Sequence, residues 1–371
     1  PMNPNGPSFE LGANPDAEDF FDGAPAPVSN SPDSAPLVKV SSVTLQFYFS
    51  PIRPLLDLPG VTEVCINRPG EAWIEGATGW EKHKLEMPFE NLRQLANLIA
   101  TASKQKLDAT TPILSTALPT GERVQIVIPP ATTAGCVSYT IRKPSNKRFA
   151  LRDYEAQGAF DHVRIDTGAE TDAERELKGL LAAGEVRRFL ELAVLTNQNI
   201  ITSGATGSGK TTLVKALCDM IPSDQRLVTI EDSDELQPTQ PNHVRLYYSK
   251  DGQGLSKATP KQLFESCLRM KPDRILPTEI RSDEAYYFLR SVSSGHPGVI
   301  TSLHANSPRQ ALETLTQMLK ASPEGAGFSR ADLKEMVMMT VDIVLQFSRV
   351  DGRRRITGIY YDPDHKRSLS A

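Results

Sequence analysis

The chain has little cysteine, and what it has is dispersed. Its four cysteines form no C-x-x-C pair and no cluster with histidine. This scarcity argues against a structural zinc site and against a small secreted fold held by disulfides. We therefore expect buried, reduced thiols of a cytoplasmic protein at Cys65, Cys136, Cys218 and Cys267.

The chain also lacks an excess of positive charge and a long apolar run. Its formal net charge is -4 and its pI is about 6.0, which gives no general electrostatic footprint for nucleic acid and predicts no direct sequence-specific binding to it. The most apolar run, Met336 to Phe347, contains Asp342 and Gln346 and is too short to span a bilayer. The N-terminus has no signal-peptide core. We expect a soluble protein inside the cell.

Length and composition predict two folded domains and an unstructured segment. A chain of 371 residues exceeds what one core of ordinary size fills. Residues 1–38 are rich in Pro, Gly, Asn, Ser and acids, without Lys or Arg up to Pro36, and should be disordered. We assign 39–147 to a first domain, 148–184 to a polar linker and 185–371 to a second domain.

The first domain has an α+β pattern. Strand-like segments surround turns at Pro69-Gly70 and before Trp80, which predicts a hairpin. Apolar residues at helical spacing predict a helix between the second and third strands. The predicted strands are Val61–Asn67, Ala72–Glu75, Arg123–Ile128 and Val137–Arg142, and the predicted helix is Phe89–Lys104.

In the second domain, strand and helix patterns alternate, and this rhythm predicts an α/β fold with a parallel sheet covered by helices on both faces. Thr259-Pro260 and Ser307-Pro308 each place a capping hydroxyl before a proline, as at helix starts. The predicted strands lie near Asn199, at Arg226–Ile230, Arg274–Leu276 and Val299–Leu303, and the helices begin after Gly209, at Pro260, near Ser282 and at Pro308.

The segment from Gly204 to Thr211 fits the phosphate-binding loop pattern G-x-x-x-x-G-K-[ST] and follows the apolar Ile200-Ile201. Glycines let backbone N–H groups approach phosphate oxygens, and the following helix adds its positive dipole end. Lys210 should reach the β and γ phosphates of ATP, and Thr211 the Mg²⁺ ion. The predicted nucleotide-binding residues are Gly204, Ala205, Thr206, Gly207, Ser208, Gly209, Lys210, Thr211 and Thr212.

Three polar groups follow predicted strands and should meet the loop at the carboxyl edge of the sheet. Hydrolysis needs a carboxylate that orients the attacking water, and Glu279 suits this role best. Glu231, followed by Asp232, is predicted to orient a water on the Mg²⁺ ion. His304 is predicted to form a hydrogen bond with the γ phosphate. Both acids are thus candidate metal-site residues acting through water.

The motifs of the chain, taken in their order along the sequence, resemble those of the traffic ATPases of bacterial secretion. Among these, they are most similar to the hexameric ATPases of Vir-type type IV secretion and conjugation systems. The resemblance covers about Val61 to Phe347. It rests on the phosphate loop, an acidic box at Thr229–Asp232, the segment Leu268–Ile275 leading to Glu279, and a histidine box from Ser294 to Asn306.

This resemblance implies a RecA-like ATPase domain preceded by a smaller, PAS-like α+β domain whose arginines contact the phosphates. The matching positions are Arg123 and Arg142, where a guanidinium would neutralise transition-state charge. It further implies a homo-hexamer in the cytoplasm, peripheral to the inner membrane through other type IV secretion subunits. In this ring, ATP-driven motion of one domain against the other would power assembly of the system or transport of its substrates. Whether each nucleotide site meets its own or a neighbour's N-terminal domain is left open by the sequence.

One departure from the family pattern concerns Pro277-Thr278, which stand before Glu279 where related chains commonly have a glycine. Proline removes a ladder hydrogen bond, so the strand should end there, and Glu231 would then carry more of the water positioning. Three alternatives remain from the sequence: a type II secretion or pilus ATPase, although the four-cysteine zinc site of type II relatives is absent; a nucleotide-dependent docking platform with negligible hydrolysis; and a metabolic P-loop kinase.

Overall fold

The computed structural model describes residues 38–144, 148–163, 165, 167–249, 253–282 and 284–370. The segment predicted to be disordered lies outside the described residues except for Val38, which begins a helix. Among the described residues, no helix is both long and apolar enough to cross a membrane.

The first domain is built on a six-stranded antiparallel sheet with the order β3-β2-β1-β6-β5-β4. The predicted hairpin is confirmed by β2 and β3, and the four predicted strands are confirmed by β1, β2, β5 and β6. Its strands are β1 (Glu63–Ile66), β2 (Gly70–Gly76), β3 (Gly79–Leu85), β4 (Ile113–Ala117), β5 (Arg123–Val127) and β6 (Ser138–Arg142). Its helices are α1 (Val38–Phe49), α2 (Arg53–Leu56) and α3 (Phe89–Ala102).

The predicted helix α3 forms because its apolar residues share one face. Leu92, Leu95 and Ile99 are buried in the core of the first domain, as their spacing requires. The hydroxyl of Tyr139 on β6 donates to the carbonyl oxygen of Leu92 at 2.5 Å. Helix and sheet therefore share both an apolar contact and a buried hydrogen bond.

The segment predicted as a linker contains two helices, α4 (Leu151–Ala156) and α5 (Asp172–Ala182). The structure departs from the prediction most clearly at α5, which begins with a capping box between Thr171 and Glu174. Leu177 and Leu180 of α5 are buried with residues of α6 (Val186–Leu195) in a core of the second domain. The short apolar repeat of α5 is too weak to stand out in a charged segment, but it is sufficient once α6 supplies a partner surface.

The second domain has parallel strands flanked by helices, but they form two adjoining sheets instead of the single sheet we predicted. One sheet has the order β10-β8-β9, and the other has the order β11-β7-β12-β13, parallel except for the β12–β13 hairpin. The strands are β7 (Ile200–Ser203), β8 (Leu227–Glu231), β9 (His243–Tyr247), β10 (Arg274–Pro277), β11 (Ile300–Leu303), β12 (Ile343–Val350) and β13 (Arg353–Tyr361). The helices are α7 (Lys210–Cys218), α8 (Pro260–Cys267), α9 (Glu284–Ser293), α10 (Pro308–Ala321), α11 (Arg330–Thr340) and α12 (Pro363–Ser370).

Proline explains the gap between the two sheets. Strand β10 ends at Pro277, as predicted, and Thr278 N donates to Ile230 O at 3.0 Å. Because successive peptide groups of a strand face opposite sides, the nitrogen of Pro277 faces away from β8, and on that side it cannot donate a ladder hydrogen bond. Beyond it, Ile280 N donates to Ser302 O at 2.8 Å and joins the two sheets.

The two domains pack against each other through a buried arginine. Arg226 is fully buried and donates to Asn67 Oδ1 of the first domain at 2.8 Å and to Asn242 Oδ1 at 2.6 Å. Its guanidinium carbon lies 5.5 Å from the centroid of the Trp80 ring, and its Nε donates to Met270 O at 3.0 Å. Because a buried charge needs such partners, Arg226 fixes the orientation of the first domain on the second.

A second contact covers the free edge of β9. Tyr247 N donates to Ala131 O at 2.9 Å, and Thr132 Oγ1 donates to Arg245 O at 2.9 Å. Val127 and Ala131 also belong to the same hydrophobic core as β9. An exposed strand edge is prone to pairing with other chains, and here the first domain occupies it.

Candidate nucleotide-binding site

The phosphate loop joins β7 to α7, as predicted. Gly209 precedes the helix with φ of 99° and Gly207 has φ of 72°, a conformation that favours glycine. Lys210 is buried, and its Nζ donates to Gly204 O at 2.9 Å and Ala205 O at 3.1 Å. Burial lowers the pKa of Lys210, although the charge of Glu279 partly opposes this shift. The loop thus holds the ammonium group over its own backbone, where phosphates would bind.

A connected set of polar side chains lies beside Lys210. Its Nζ is 3.2 Å from His304 Nδ1, and His304 Nε2 is 2.7 Å from Glu279 Oε1. Arg281 Nη2 donates to Glu279 Oε2 at 2.6 Å, and Arg281 Nη1 donates to Asp232 Oδ2 at 2.5 Å. The structure therefore brings together three of the predicted catalytic residues, and Arg281 and Asp232 complete the set.

His304 lies between a cation and an acid. An ammonium group has no acceptor, so Lys210 donates to His304 Nδ1, and Nε2 of the same ring lies 2.7 Å from Glu279 Oε1 without hydrogen-bond geometry. The hydrogen bond from Arg281 to Glu279 raises the pKa of Arg281 above its usual value. At the carboxyl edge of the sheet, Glu279 Oε2 accepts from Arg281, and Glu279 Oε1 is buried without a hydrogen-bond partner among the described residues.

Glu231 does not join this set. It is fully buried, and its carboxylate accepts hydrogen bonds from Thr229 Oγ1 at 2.5 Å and from the backbone N–H groups of Glu235 and Leu236 at 2.9 and 3.0 Å. Arg245 adds two further bonds, from Nε at 3.0 Å and from Nη2 at 2.9 Å. These donors occupy both oxygens, which leaves little capacity to orient a water.

Arg245, the partner of Glu231, forms hydrogen bonds with two carboxylates, those of Glu231 and Asp234. Burial alone would lower the pKa of Arg245, but its hydrogen bonds to Glu231 and Asp234 raise the pKa above its usual value. The sequence analysis missed this ion pair because Arg245 lies on β9, and the pairing of β8 with β9 brings Arg245 and Glu231 together.

Arg123 and Arg142 are separated from the phosphate loop both in the sequence and in the folded structure. They are paired across β5 and β6, and with Leu268, Arg269 and Lys271 they line a cavity of about 390 Å³. The segment 268–271 leads into the amino end of β10, whereas the phosphate loop lies at the carboxyl edge of the neighbouring sheet. The structure therefore does not bring these arginines to the loop of their own chain.

The residues around Thr211 fit a magnesium nucleotide. Thr211 is the second residue of α7, next to Lys210, and the hydroxyl of Ser208 is buried without a hydrogen-bond partner among the described residues. Hydroxyl oxygens together with phosphate oxygens suit Mg²⁺, which is seldom bound by an all-protein cage. No cluster of three or more His, Cys, Asp or Glu suited to a metal occurs in the described part of the chain.

A phosphate loop after a central parallel strand, with a lysine, a histidine and a carboxylate in contact, defines the class of P-loop nucleotide-binding proteins. Residues 48–349 match the sequence profile of the Type II/IV secretion system proteins. The chain therefore belongs to this family.

Over 346 residues the chain is 44% identical to the type IV secretion system protein VirB11 of Brucella suis, covering 91% of this chain and 95% of that protein. It is 41% identical over 333 residues to VirB11 of Bartonella henselae, covering 86% and 93% of the two chains. The crystal structure of the Brucella suis VirB11 ATPase in complex with sulphate superposes with a TM-score of 0.84 at 43% identity, covering 89% of this chain and 98% of that one. These relatives place the chain, within the family, among the VirB11 ATPases of type IV secretion systems. The family predicted from the sequence motifs is thereby confirmed, and membership of it implies nucleotide binding and ATPase activity.

Proposed function

We propose that this chain hydrolyses MgATP in a ring, most simply a homo-hexamer, and thereby powers assembly of, or transport through, a type IV secretion system. The observation that carries the proposal is the contact series from Lys210 through His304 to Glu279 beside the phosphate loop. In this proposal, residues 39–147 form the PAS-like N-terminal domain and residues 185–371 the RecA-like ATPase domain, and helix α5 of the predicted linker 148–184 packs in the core of the ATPase domain.

In the proposed reaction, Lys210 and the loop N–H groups bind the β and γ phosphates, and Thr211 would hold a Mg²⁺ ion, which would supply positive charge to neutralise them. Glu279 orients the attacking water. As the water oxygen bonds to the γ phosphorus, the bond to the bridging β–γ oxygen breaks, and the proton of the water passes to phosphate. His304 senses the γ phosphate through its contact with Lys210. Arg281, which also binds Asp232, holds the carboxylate of Glu279 in position. Glu231 supports the edge of the sheet beneath this set.

The position of Arg123 and Arg142 favours a site shared between chains. They line the cavity beside Arg269 and Lys271, away from their own phosphate loop, so in a ring they would face the nucleotide of a neighbouring chain and act there as arginine fingers. The proposed ring works in the cytoplasm, peripheral to the inner membrane through other type IV secretion subunits.

Nucleotide calorimetry and phosphate release test the site assignment. Lys210→Ala should lose both ATP binding and turnover, because it removes the ammonium group from the loop. Glu279→Gln should keep ATP binding but lose about 10²–10⁴-fold in turnover, the usual contribution of a positioned acid–base group. Wild-type rates in either variant would overturn the assignment, and ATP binding without phosphate release in the wild-type ring would favour a docking platform.

Mixing two inactive variants tests the shared site. Lys210→Ala supplies an intact Arg123, and Arg123→Ala supplies an intact loop, so random mixed rings should regain activity at roughly one interface in four. If Arg123 served its own chain, mixed rings would stay inactive. Arg142→Ala mixed with Lys210→Ala provides an independent repeat of the experiment.

A further inference from the structure

The β12–β13 hairpin extends past the sheet and over the phosphate loop. Strand β12 pairs with β7 only from Ile343 to Gln346, which lies opposite Ser203, the last residue of β7. Strand β12 then continues to Val350, paired with β13 alone. At about 3.3 Å per residue, this gives roughly 13 Å of hairpin beyond the point where the phosphate loop begins.

The extended hairpin contacts both ends of the loop. A Cβ on Gly204 would collide with the carbonyl oxygen of Phe347, so the first glycine of the motif is required by the hairpin. A Cβ on Gly209 would lie 2.8 Å from Cδ and 3.0 Å from Nε of Arg354, and 3.2 Å from a ring carbon of Phe347. The side chain of Arg354 therefore lies directly against the residue that precedes Lys210.

Arg354 places a positive charge beside Gly209, and no carboxylate among the described residues forms an ion pair with it. No described residue forms a hydrogen bond, an ion pair or a ring contact with its side chain, and it is exposed. The residue paired with it across the hairpin is Arg349, so two like charges stand on the same face. Such pairs are destabilising, and an anion bound between hairpin and loop would offset the repulsion.

We propose that Arg354 binds the polyphosphate chain of the ATP held by the loop of its own chain. This inference rests on the proposed function and adds a cation that the sequence motifs do not contain. A guanidinium suits phosphate because its planar donors form paired hydrogen bonds with phosphate oxygens. The site would then hold Lys210 and Arg354 from one chain, and the arginines of the first domain from its neighbour.

The hairpin supplies its own matched controls. Arg353 and Arg355 flank Arg354, and because side chains alternate along a strand, both lie on the opposite face. All three arginines are exposed, so each replacement removes one positive charge at nearly the same place. Only replacement of Arg354 removes a cation that lies against the loop.

The experiment measures binding of ATP and of inorganic tripolyphosphate by calorimetry to full-length wild type, Arg354→Ala, Arg354→Gln, Arg353→Ala, Arg355→Ala and Lys210→Ala. Loss of a charge-assisted hydrogen bond should weaken binding of both ligands about tenfold to a hundredfold in the two Arg354 variants. Arg353→Ala and Arg355→Ala should bind as the wild type does. Thermal midpoints without nucleotide should be no lower in the two Arg354 variants than in Arg353→Ala and Arg355→Ala, because removal of Arg354 relieves its repulsion by Arg349, and this would show that weaker binding is not caused by unfolding.

Three results would overturn the inference. The first is wild-type binding of both ligands by Arg354→Ala while Lys210→Ala binds neither, which leaves the proposed function standing. The second is equally weakened binding in the variants of Arg353, Arg354 and Arg355, which would indicate only a general field of positive charge. The third is weaker binding of ATP without weaker binding of tripolyphosphate, which would place Arg354 on the nucleoside. If Lys210→Ala also binds ATP normally, the proposed function fails with it.

Discussion

Replacing Glu231 by glutamine should lower the temperature at which the protein unfolds. It should not change a group that acts directly in ATP hydrolysis. Glu231 is fully buried and accepts two hydrogen bonds from Arg245. Glutamine keeps the shape but removes the charge that balances a guanidinium whose side chain is only 11% exposed. The damage is limited because Arg245 keeps its hydrogen bond to Asp234.

The size of this effect follows from the burial of the pair. Breaking a buried ion pair by removing one partner costs about 3–5 kcal/mol, and the remaining contact with Asp234 places Glu231→Gln near about 3 kcal/mol at the lower end of that range. For a domain of this size each kcal/mol shifts the midpoint by about 2–4 °C. The thermal midpoint should therefore fall by about 6–12 °C.

Glu279→Gln is the matched control, since it is the same replacement at the end of a strand in the same domain. The Glu279 side chain is 15% exposed, and its partner Arg281 keeps the hydrogen bond to Asp232. Its thermal midpoint should move by only about 1–4 °C, because partly solvated pairs contribute about 1 kcal/mol or less. Circular dichroism melts and phosphate release below the melting range measure both quantities. A Glu231→Gln protein that melts like the wild type but releases no phosphate would refute the reasoning. It would indicate instead that Glu231 orients a water, as the sequence analysis predicted.

Three further outcomes follow from the structure. Burial raises the pKa of Glu63 to about 7 against the opposing charge of Arg142, so the folded state binds the extra proton between about pH 4.5 and 7, and stability falls as the pH rises through this window. Glu63→Gln should flatten this slope in melts recorded against pH; an unchanged slope contradicts the assignment. Gly209→Ala should abolish ATP binding in calorimetry while the protein stays folded, since φ of 99° strains any side chain at this position and a Cβ would displace the side chain of Arg354. Arg226→Ala should destabilise the domain contact by about 3 kcal/mol and speed tryptic cleavage of the folded protein. Cleavage at the wild-type rate would contradict this.

The sequence predicted the parts of the fold that depend on local pattern. The loop, the strand before it and the helix after it are encoded within Ile200 to Cys218, and their geometry follows from the glycines of the loop and a short apolar run before it. The rule that parallel strands end at one edge correctly placed Glu279 and His304 beside Lys210. Such predictions need only the order of elements, not their lateral pairing.

What the sequence did not predict depends on lateral neighbours. Whether Glu231 faces a water or an arginine depends on the strand beside β8, and β9 supplies Arg245 from fourteen positions further along. Arg354 comes near Gly209 only because the hairpin pairs beyond the end of β7. The break between the two sheets depends on which side of β10 the nitrogen of Pro277 faces. None of these pairings has a periodic signal in the chain.

The placement of the arginines bears on how ATP hydrolysis would produce movement. The first domain is fixed on the second by Arg226, and β10 separates the cavity of Arg123 from the carboxyl edge by four residues, or about 13 Å. A side chain cannot cover that distance while the buried contact persists. In the proposed ring, a phosphate gripped by Lys210 from one chain and Arg123 from the next would tie two chains together, and its release would loosen the boundary between them. The domain pair of each chain would then move as one body.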